Sequence, residues 1–201
     1  AANQAKAKAN ATIEARKPDI LVIGDSVPLG MPAYGAFDDV FPGGFCDAAV
    51  GRQFYDAAGI YENYKEMQLV GNVVVIALGT NGYATDEDAE ALMAVVGDEQ
   101  RIWFVNTRSP EEYVEASNAV IQRVCDNHEN AQLIDWYSIS DGHPEYFDGD
   151  GTHLNADSAL TYSWMIYDAV KDYLPDRTDE ERTAAAEATA EAAATAGGGG
   201  E

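Results

Sequence analysis

The sequence predicts a three-layer α/β fold, a doubly wound sheet of five parallel strands with helices on both faces. Two observations carry this prediction. Five short strand-like runs occur along the chain, and the first, at 20–23, is apolar and mostly β-branched, which indicates a strand that is buried on both faces. Segments with a helical pattern alternate with these runs, which is typical of βαβ units. Among doubly wound sheets, we expect the flavodoxin-like strand order 2-1-3-4-5.

The elements follow one another along the chain. The first strand is the run ILVI, and the third, NVVVIAL, is the most strand-like stretch of the sequence. Strands are predicted over 20–23, 45–50, 72–78, 101–106 and 131–136. Helices are predicted over 55–70, 86–96, 111–127 and 155–173, with loops over 28–44 and 137–152. The helix at 86–96 has an acidic first turn, which suits the helix dipole.

Length and composition bound the domain organisation. A chain of 201 residues has room for one α/β domain with a substantial core, which we place at 18–175. Residues 1–17 are rich in Ala, Lys and Asn and are predicted to be a linker, with room for a short helix at its end. Residues 176–201 are predicted to be a low-complexity tail without chemistry. Because the chain does not begin with Met, we expect it to be a piece of a longer protein.

The charge balance narrows the range of partners. A formal net charge of -23 and an isoelectric point near 4.1 argue against nucleic acid and against anionic membrane surfaces. They favour a self-repelling surface, or one that cations screen. No run approaches the roughly 18 apolar residues of a membrane-spanning helix, so the chain as given is predicted to be soluble. Cys46 and Cys125 lack the spacing of metal ligands, and no metal site is predicted.

The end of the first strand is the centre of the predicted site. Glycine at position 24 permits a sharp turn, which leaves Ser26 at the carboxyl end of a central strand, where open α/β sheets bind ligands. In the order 2-1-3-4-5 the first and third strands are neighbours, so Asn81, at the end of the third, flanks the same crevice. Taken alone, the stretch is explained equally well as an ordinary strand exit with Ser26 as a helix N-cap.

Acyl transfer through a serine needs a base and a group that orients the base, and three histidines are candidates. His128 lies in a polar turn and is expected to be solvated. His143 precedes a proline in a loop and is a weaker candidate. His153 follows Asp150 by three residues, so one loop can bring the carboxylate to one ring nitrogen and leave the other free for Ser26. Taken alone, such a turn is more often a polar loop in which the aspartate accepts backbone hydrogen bonds.

The order of these residues along the chain is more specific than any of them alone. It resembles the SGNH family of GDSL-type esterases and acyltransferases, whose blocks match the stretches 24–26, 51, 79–81 and 150–153. The resemblance implies that Ser26 is the nucleophile, His153 the general base and acid, and Asp150 its orienting partner. It also implies an oxyanion hole formed by the backbone N–H groups of Ser26 and Gly51 and the side-chain amide of Asn81. No metal or organic cofactor is implied.

One subgroup of that family is more similar than the rest. Stretches 50–53, 78–82, 135–137 and 143–147 resemble the extracellular domain of bacterial peptidoglycan O-acetyltransferases, in which a membrane acyltransferase domain and a linker precede this domain. The resemblance implies a location on the extracellular face of a bacterial cell, tethering to such a membrane domain, and a cell-wall glycan or acetylated carbohydrate as partner. The implied reaction transfers acetyl to a sugar hydroxyl through an acetyl-serine. Pro28 departs from the family pattern, two residues after the serine.

Three further residues are candidates for contacts with the acceptor sugar. Arg52, Arg108 and Tyr113 lie near loops at the carboxyl ends of predicted strands. Surface salt bridges explain the two arginines about as well. The alternative function is a carbohydrate esterase, in which water takes the acetyl group instead of a sugar. A binding module without activity is less well supported, because every catalytic position of the family is filled.

Overall fold

The computed structural model describes residues 2–197, which contain one sheet of five parallel strands in the order β2-β1-β3-β4-β5. The strands are β1 (Ile20–Gly24), β2 (Phe45–Ala48), β3 (Val73–Ala77), β4 (Ile102–Val105) and β5 (Ala131–Ile134). The predicted fold class and strand order are therefore confirmed. Each predicted strand has its place in this sheet. The first is one residue longer than predicted, and the other four are one to two residues shorter at one or both ends.

Helices cover both faces of the sheet. Along the chain they are α1 (Ala2–Arg16), α2 (Gly30–Ala33), α3 (Ala36–Val40), α4 (Ala57–Glu66), α5 (Asp86–Val96), α6 (Val114–Asn127), α7 (Trp136–Ile139), α8 (Ala156–Val170) and α9 (Asp179–Gly197). One apolar cluster joins α2, α3 and α8 to one face of the sheet, and a second joins α4, α5 and α6 to the other. This double cover explains why every residue of β1, β3 and β4 is buried.

The strand register sets the position of the site. Gly24, at the end of β1, lies opposite Ala48 of β2 on one side and Ala77 of β3 on the other. Since parallel strands end at the same edge of a sheet, the loops that follow β1, β2 and β3 emerge side by side. Those are the loops that contain Ser26, Gly51 and Asn81.

The main difference from the predicted elements lies in the first long loop. Residues 28–44, predicted as loop, contain α2 and α3, whose buried Met31 and Phe37 pack on the face that carries α8. Helices of four and five residues are too short to show a helical period, and the prolines and glycines around them indicate turns. The second predicted loop, 137–152, contains most of α7 and a 3-10 turn at Pro144–Tyr146.

The terminal segments form helices that pack on each other. Arg177 donates from Nη1 to the carbonyl oxygen of Lys17 at 2.7 Å and from Nη2 to that of Glu14 at 2.8 Å. These two hydrogen bonds give partners to carbonyl oxygens that the end of α1 leaves without one inside the helix. The same guanidinium lies 3.1 Å from the buried carboxylate of Asp19, just before β1.

The division into a linker at 1–17, a domain at 18–175 and a tail at 176–201 stays a prediction, and residues 1 and 198–201 lie outside the described part. None of the helices within 2–197 combines the length and the apolar character that crossing a bilayer requires.

We predict that salt stabilises this fold. A net charge of -23 makes the folded surface repel itself, and the Debye length shrinks to about 3 Å at 1 M salt. Between about 0.05 M and 1 M NaCl the Tm should rise by at least about 3 °C, which for a chain of this size corresponds to about 1 kcal/mol. Circular dichroism at increasing temperature measures it.

A matched variant tests whether repulsion is the cause. Glu62 and Glu66 are exposed like charges one turn apart on α4. Glu62→Gln/Glu66→Gln should raise the Tm at low salt and reduce the gain from added salt. A Tm that is flat or falls with salt would contradict the prediction.

Candidate active site

Ser26 lies on a tight turn at the carboxyl edge of the sheet. A side chain on Gly24 would collide with the ring of Pro28 and lie 3.3 Å from the carbonyl oxygen of Ala77, so the turn after β1 requires glycine. Pro28, the departure from the family pattern, thus packs against the turn itself. The first turn of α2 begins two residues later, at Gly30, and Ser26 stays in front of it.

Ser26, His153 and Asp150 form a continuous hydrogen-bonded chain. The Oγ of Ser26 lies 2.8 Å from His153 Nε2, and Asp150 Oδ2 lies 2.6 Å from His153 Nδ1. The other oxygen of Asp150 accepts the backbone N–H groups of Thr152 and His153, each at 2.9 Å. Asp150 therefore has both of the roles that the sequence allowed. One oxygen accepts backbone hydrogen bonds of its own loop, and the other orients the His153 ring.

The ionisation of Asp150 suits this arrangement. Burial raises the pKa of its carboxyl, but hydrogen bonds from the His153 ring and from the backbone N–H groups of His153 and Thr152 outweigh burial and lower the pKa to about 2. Asp150 is therefore a carboxylate throughout the neutral range. A carboxylate at Nδ1 fixes the tautomer that leaves Nε2 free to accept a proton from the serine.

The other candidate groups in this region have different partners. Asp148, the neighbouring acid, accepts a hydrogen bond from the hydroxyl of Tyr34 at 3.4 Å and does not contact the His153 ring. His143 lies 2.7 Å from a Glu145 oxygen. The third histidine, His128, lies 3.1 Å from a carboxylate oxygen on α5. Of the three histidines, His153 alone reaches Ser26.

Asp25 is a buried carboxylate beneath the site, and the sequence prediction gave it no role. Its Oδ1 accepts the backbone N–H of Val27 at 3.0 Å, and its Oδ2 accepts that of Thr80 at 3.1 Å. Only 1% of the residue is exposed. Burial raises the pKa of Asp25, and the two backbone hydrogen bonds act against that rise. The carboxylate thus ties the turn that carries Ser26 to the end of β3.

The predicted oxyanion donors lie on the loops after β1, β2 and β3. Gly51 has a φ of 76°, a left-handed conformation that favours glycine. Within the described residues, the backbone N–H groups of Ser26 and Gly51 donate to no acceptor in the protein. Asn81 donates one N–H of its amide to the carbonyl oxygen of Arg52 at 3.1 Å, which leaves the second N–H free. These three donors stay predictions for the oxyanion hole.

Arg52 follows Gly51, and its guanidinium points inward. It donates to the carbonyl oxygen of Gly24 at 3.1 Å and to that of Asp47, and it pairs with Asp47 Oδ1 at 2.7 Å. The Tyr64 hydroxyl donates to the other Asp47 oxygen at 3.0 Å. With 14% of its side chain exposed, Arg52 has little surface to offer a sugar, and the prediction that it binds substrate finds no support here. Its contacts instead join the loop after β2 to the end of β1.

The other two candidate substrate contacts also have partners in the protein. Arg108 donates to the carbonyl oxygen of Tyr137 and pairs with Asp141, each at 2.8 Å. Tyr113 donates its hydroxyl to the carbonyl oxygen of Thr80 at 2.7 Å. Both side chains therefore order loops around the site, and a role in binding substrate stays a prediction.

Of the three residues that the sequence prediction missed, one has a signal in the sequence and two do not. An acidic residue between a buried strand and a candidate nucleophile is itself a signal, because a carboxylate in that place needs backbone donors. Asp25 could have been found in this way. Asp47 and Tyr64 give no comparable signal, since they meet only when α4 packs beside β2.

The arrangement can carry out acyl transfer. A serine hydroxyl touches a histidine nitrogen, a carboxylate holds that histidine, and N–H groups stand free at the same edge of the sheet. The site is open, because 45% of the His153 side chain and 49% of the Asp150 side chain are exposed. A large acceptor therefore has access to the serine from solvent.

Comparisons with known proteins agree with this chemistry. The chain is 37% identical over 147 residues to O-acetyltransferase OatA of Staphylococcus aureus and 35% identical over 153 residues to YrhL of Bacillus subtilis. These matches cover 73% and 76% of the chain, which spans about a quarter of each relative, 24% in both cases. No protein-family model matches.

A solved structure shares the fold. The C-terminal catalytic domain of peptidoglycan O-acetyltransferase A of Streptococcus pneumoniae, solved with a methylsulfonyl adduct, superposes with a TM-score of 0.69. The match covers 78% of this chain and 94% of that domain at 23% identity.

We predict that Asp150, and not Asp148, orients His153. Asp150→Asn keeps the shape but removes the charge that holds the ring tautomer, and the matching change in a serine protease costs about 10⁴-fold. The rate at which a sulfonyl fluoride modifies Ser26, followed by intact-protein mass spectrometry, should fall by about 10³-fold or more. Asp148→Asn is the matched control and should stay within a few fold of the parent. Similar small losses in both variants would show that another group orients His153.

We also predict that Arg52 acts by positioning the loop after β2. Lysine cannot reproduce the forked contacts with Gly24 and Asp47, and small displacements in a site of this kind can cost about 10²-fold. Arg52→Lys should slow sulfonylation of Ser26 by that order. Arg123→Lys, which changes a half-exposed arginine paired with Asp86, serves as the control. Equal labelling rates in the two variants would contradict the positioning role.

Proposed function

We propose that this chain is a member of the SGNH/GDSL hydrolase family and a serine-dependent O-acetyltransferase that moves an acetyl group to a hydroxyl of a cell-wall sugar. The observation that carries the proposal is the hydrogen-bonded chain from Ser26 through His153 to Asp150. Peptidoglycan is the acceptor we favour, because the names of the Bacillus subtilis relative and of the Streptococcus pneumoniae domain include it. In this proposal, the reaction passes through an acetyl-Ser26 intermediate.

In the first half-reaction, His153 Nε2 accepts the proton of the Ser26 hydroxyl as Oγ attacks the carbonyl carbon of an acetyl donor. The negative charge that develops on the carbonyl oxygen is stabilised by the N–H groups of Ser26 and Gly51 and by the amide of Asn81. The bond to the leaving group then breaks, and His153 returns the proton to that group. Asp150 stabilises the imidazolium between these events.

In the second half-reaction, a sugar hydroxyl takes the place of the leaving group. His153 accepts its proton, the sugar oxygen attacks the acetyl carbon, and the ester bond to Ser26 breaks as the serine regains a proton. Transfer outcompetes hydrolysis when the acceptor is held in place, because a well-oriented group acts at an effective concentration of up to about 10⁵ M or more. Each step uses side chains and backbone groups of this chain, so no metal or organic cofactor is required.

The setting of the domain is part of the proposal. The related proteins are about four times as long as the matched region, which leaves room for a membrane acyltransferase domain that supplies acetyl groups. We therefore assign the domain to the extracellular face of a bacterial cell, tethered to such a partner and facing the wall glycan. Nucleic acid is not a partner, because a net charge of -23 repels polyanions.

Hydrolysis is the second candidate function, and one observation favours it. The His153 side chain is 45% exposed, so water can reach the same acetyl-serine and replace the sugar. The chain would then be a carbohydrate acetylesterase with an unchanged first half-reaction. The two functions differ only in which hydroxyl His153 deprotonates in the second step.

Product analysis distinguishes them. With an activated acetyl ester and chito-oligosaccharide or soluble peptidoglycan fragments, we expect sugars heavier by one acetyl group in the mass spectrum. Ser26→Ala and His153→Ala should each lower ester turnover by about 10³-fold or more, because the three residues act as a unit. Ser109→Ala and His143→Ala are the matched controls, since both side chains lie outside the hydrogen-bonded chain. Release of acetate without acetylated sugar across a panel of glycans would replace transfer by hydrolysis.

A further inference from the structure

We propose that Tyr83 and Tyr34 are stacking sites for two sugar rings of an uncharged glycan, one on each side of Ser26. The inference rests on the proposed function and adds the residues that bind the acceptor. Two exposed tyrosines near Ser26 have no part in the reaction steps described above. Tyr83 is 59% exposed and Tyr34 is 49% exposed, although both belong to loops at the catalytic edge of the sheet.

The backbone on both sides of Tyr83 is anchored. This tyrosine follows the predicted oxyanion donor Asn81 by two residues, and the backbone on both of its sides is bound to the buried Ser117. That hydroxyl donates to the carbonyl oxygen of Gly82 at 3.2 Å and accepts the N–H of Ala84 at 3.0 Å. An exposed aromatic ring on an anchored backbone loses little entropy on binding, which is what a stacking surface needs.

A second aromatic ring supports Tyr83 from within. The ring of Tyr113 lies 5.6 Å from that of Tyr83, and its hydroxyl is fixed to the carbonyl oxygen of Thr80 at 2.7 Å. Tyr113 thus has a role that its predicted contact with the acceptor did not include. It packs against Tyr83 while most of the Tyr83 side chain stays in solvent.

Tyr34 occupies the corresponding place on the other side. It ends α2, and its hydroxyl donates to Asp148 at 3.4 Å. Asp148 in turn donates its N–H to the carbonyl oxygen of His153 at 3.0 Å, so Tyr34 is one residue removed from the catalytic loop. Its half-exposed ring offers an apolar surface on which a sugar ring can stack.

The two tyrosines lie in opposite helix layers. Tyr34 belongs to the layer of α2 and α8, whereas Tyr83 precedes α5 and contacts the start of α6 in the other layer. Ser26 lies between the layers, at the end of β1. A glycan that stacks on both rings therefore crosses the carboxyl edge of the sheet over Ser26, which brings a hydroxyl of an intermediate sugar to the acetyl group.

The charges around this path select an uncharged chain. Arg52 is paired with Asp47 and Arg108 with Asp141, so these two cations near the site are already neutralised by carboxylates. The net charge of -23 repels a polyanion as a whole. An uncharged polysaccharide avoids this repulsion, and aromatic stacking does not require charge. An anionic wall polymer would be repelled, and neither arginine is free to offset that repulsion.

The test measures binding without turnover. In the Ser26→Ala background, isothermal titration calorimetry with chito-oligosaccharides of increasing length should show affinity that rises with length. Adding Tyr83→Ala or Tyr34→Ala should weaken binding of the longest oligomer by about 10-fold each, whereas Tyr83→Phe and Tyr34→Phe keep the ring and should bind within about 2-fold of the parent. Trp164→Ala is the control, because this equally exposed aromatic on α8 lies with Asp19 and Pro42 at the opposite end of the sheet.

Kinetics separate this inference from the proposed function. In the active protein, Tyr83→Ala and Tyr34→Ala should raise the KM for the glycan acceptor by about 10-fold with a smaller effect on kcat. If wild type transfers no acetyl but binds oligosaccharide through these tyrosines, the proposed function fails and the stacking sites stand. If transfer occurs and the alanine variants bind and react like Trp164→Ala, the stacking sites are wrong. Tighter binding of a polyglycerol phosphate than of the neutral oligomer would overturn the assignment of an uncharged ligand.

Discussion

The buried carboxylate of Asp25 is the constraint on which the active-site geometry depends. Its two oxygens accept N–H groups from Val27 and Thr80, which lie 53 positions apart in the sequence and on the exits of two neighbouring strands. A buried carboxylate without hydrogen-bond partners strongly destabilises a fold. Moving the turn after β1 away from the turn after β3 would therefore cost much of the stability of the protein. Ser26 and Asn81 therefore keep one relative position, which the predicted role of both as oxyanion donors requires.

Polar contacts of the same kind extend outward from Asp25. Arg52 joins the loop after β2 to the end of β1, and Asp150 holds both its own loop and the ring of His153. The apolar core sets the edge at which these loops emerge, whereas buried or half-buried hydrogen bonds set their mutual geometry. At the outside of the site, the side chain of Tyr83 makes no hydrogen bond within residues 2–197, while the backbone on both of its sides is anchored. Rigidity thus extends to the place where a ligand would bind.

The fold and the identities of the central site residues could be predicted from the sequence, whereas most of the contacts around them could not. The run VVVIA predicts a strand because a strand that is buried on both faces is apolar at every position. Helices α2 and α3 were missed, since four or five residues do not complete a period and their stability comes from packing on α8. Substrate binding by Arg52 stays a prediction, and of its two possible roles the structure shows the salt bridge, whose partner Asp47 the sequence does not reveal. Position along the chain predicted which residues meet, and only packing determined which charges are already paired.

Direct capture of the acetyl group on the protein tests the central claim, that Ser26 carries it between donor and acceptor. The protein is mixed with an activated acetyl ester, quenched in acid within the first turnover and digested for peptide mass spectrometry. We expect one peptide heavier by an acetyl group, modified at Ser26, and we expect the label to disappear faster when a glycan acceptor is added before the quench. Turnover without acetylation of Ser26, or acetylation at another residue that discharges at the catalytic rate, would contradict it.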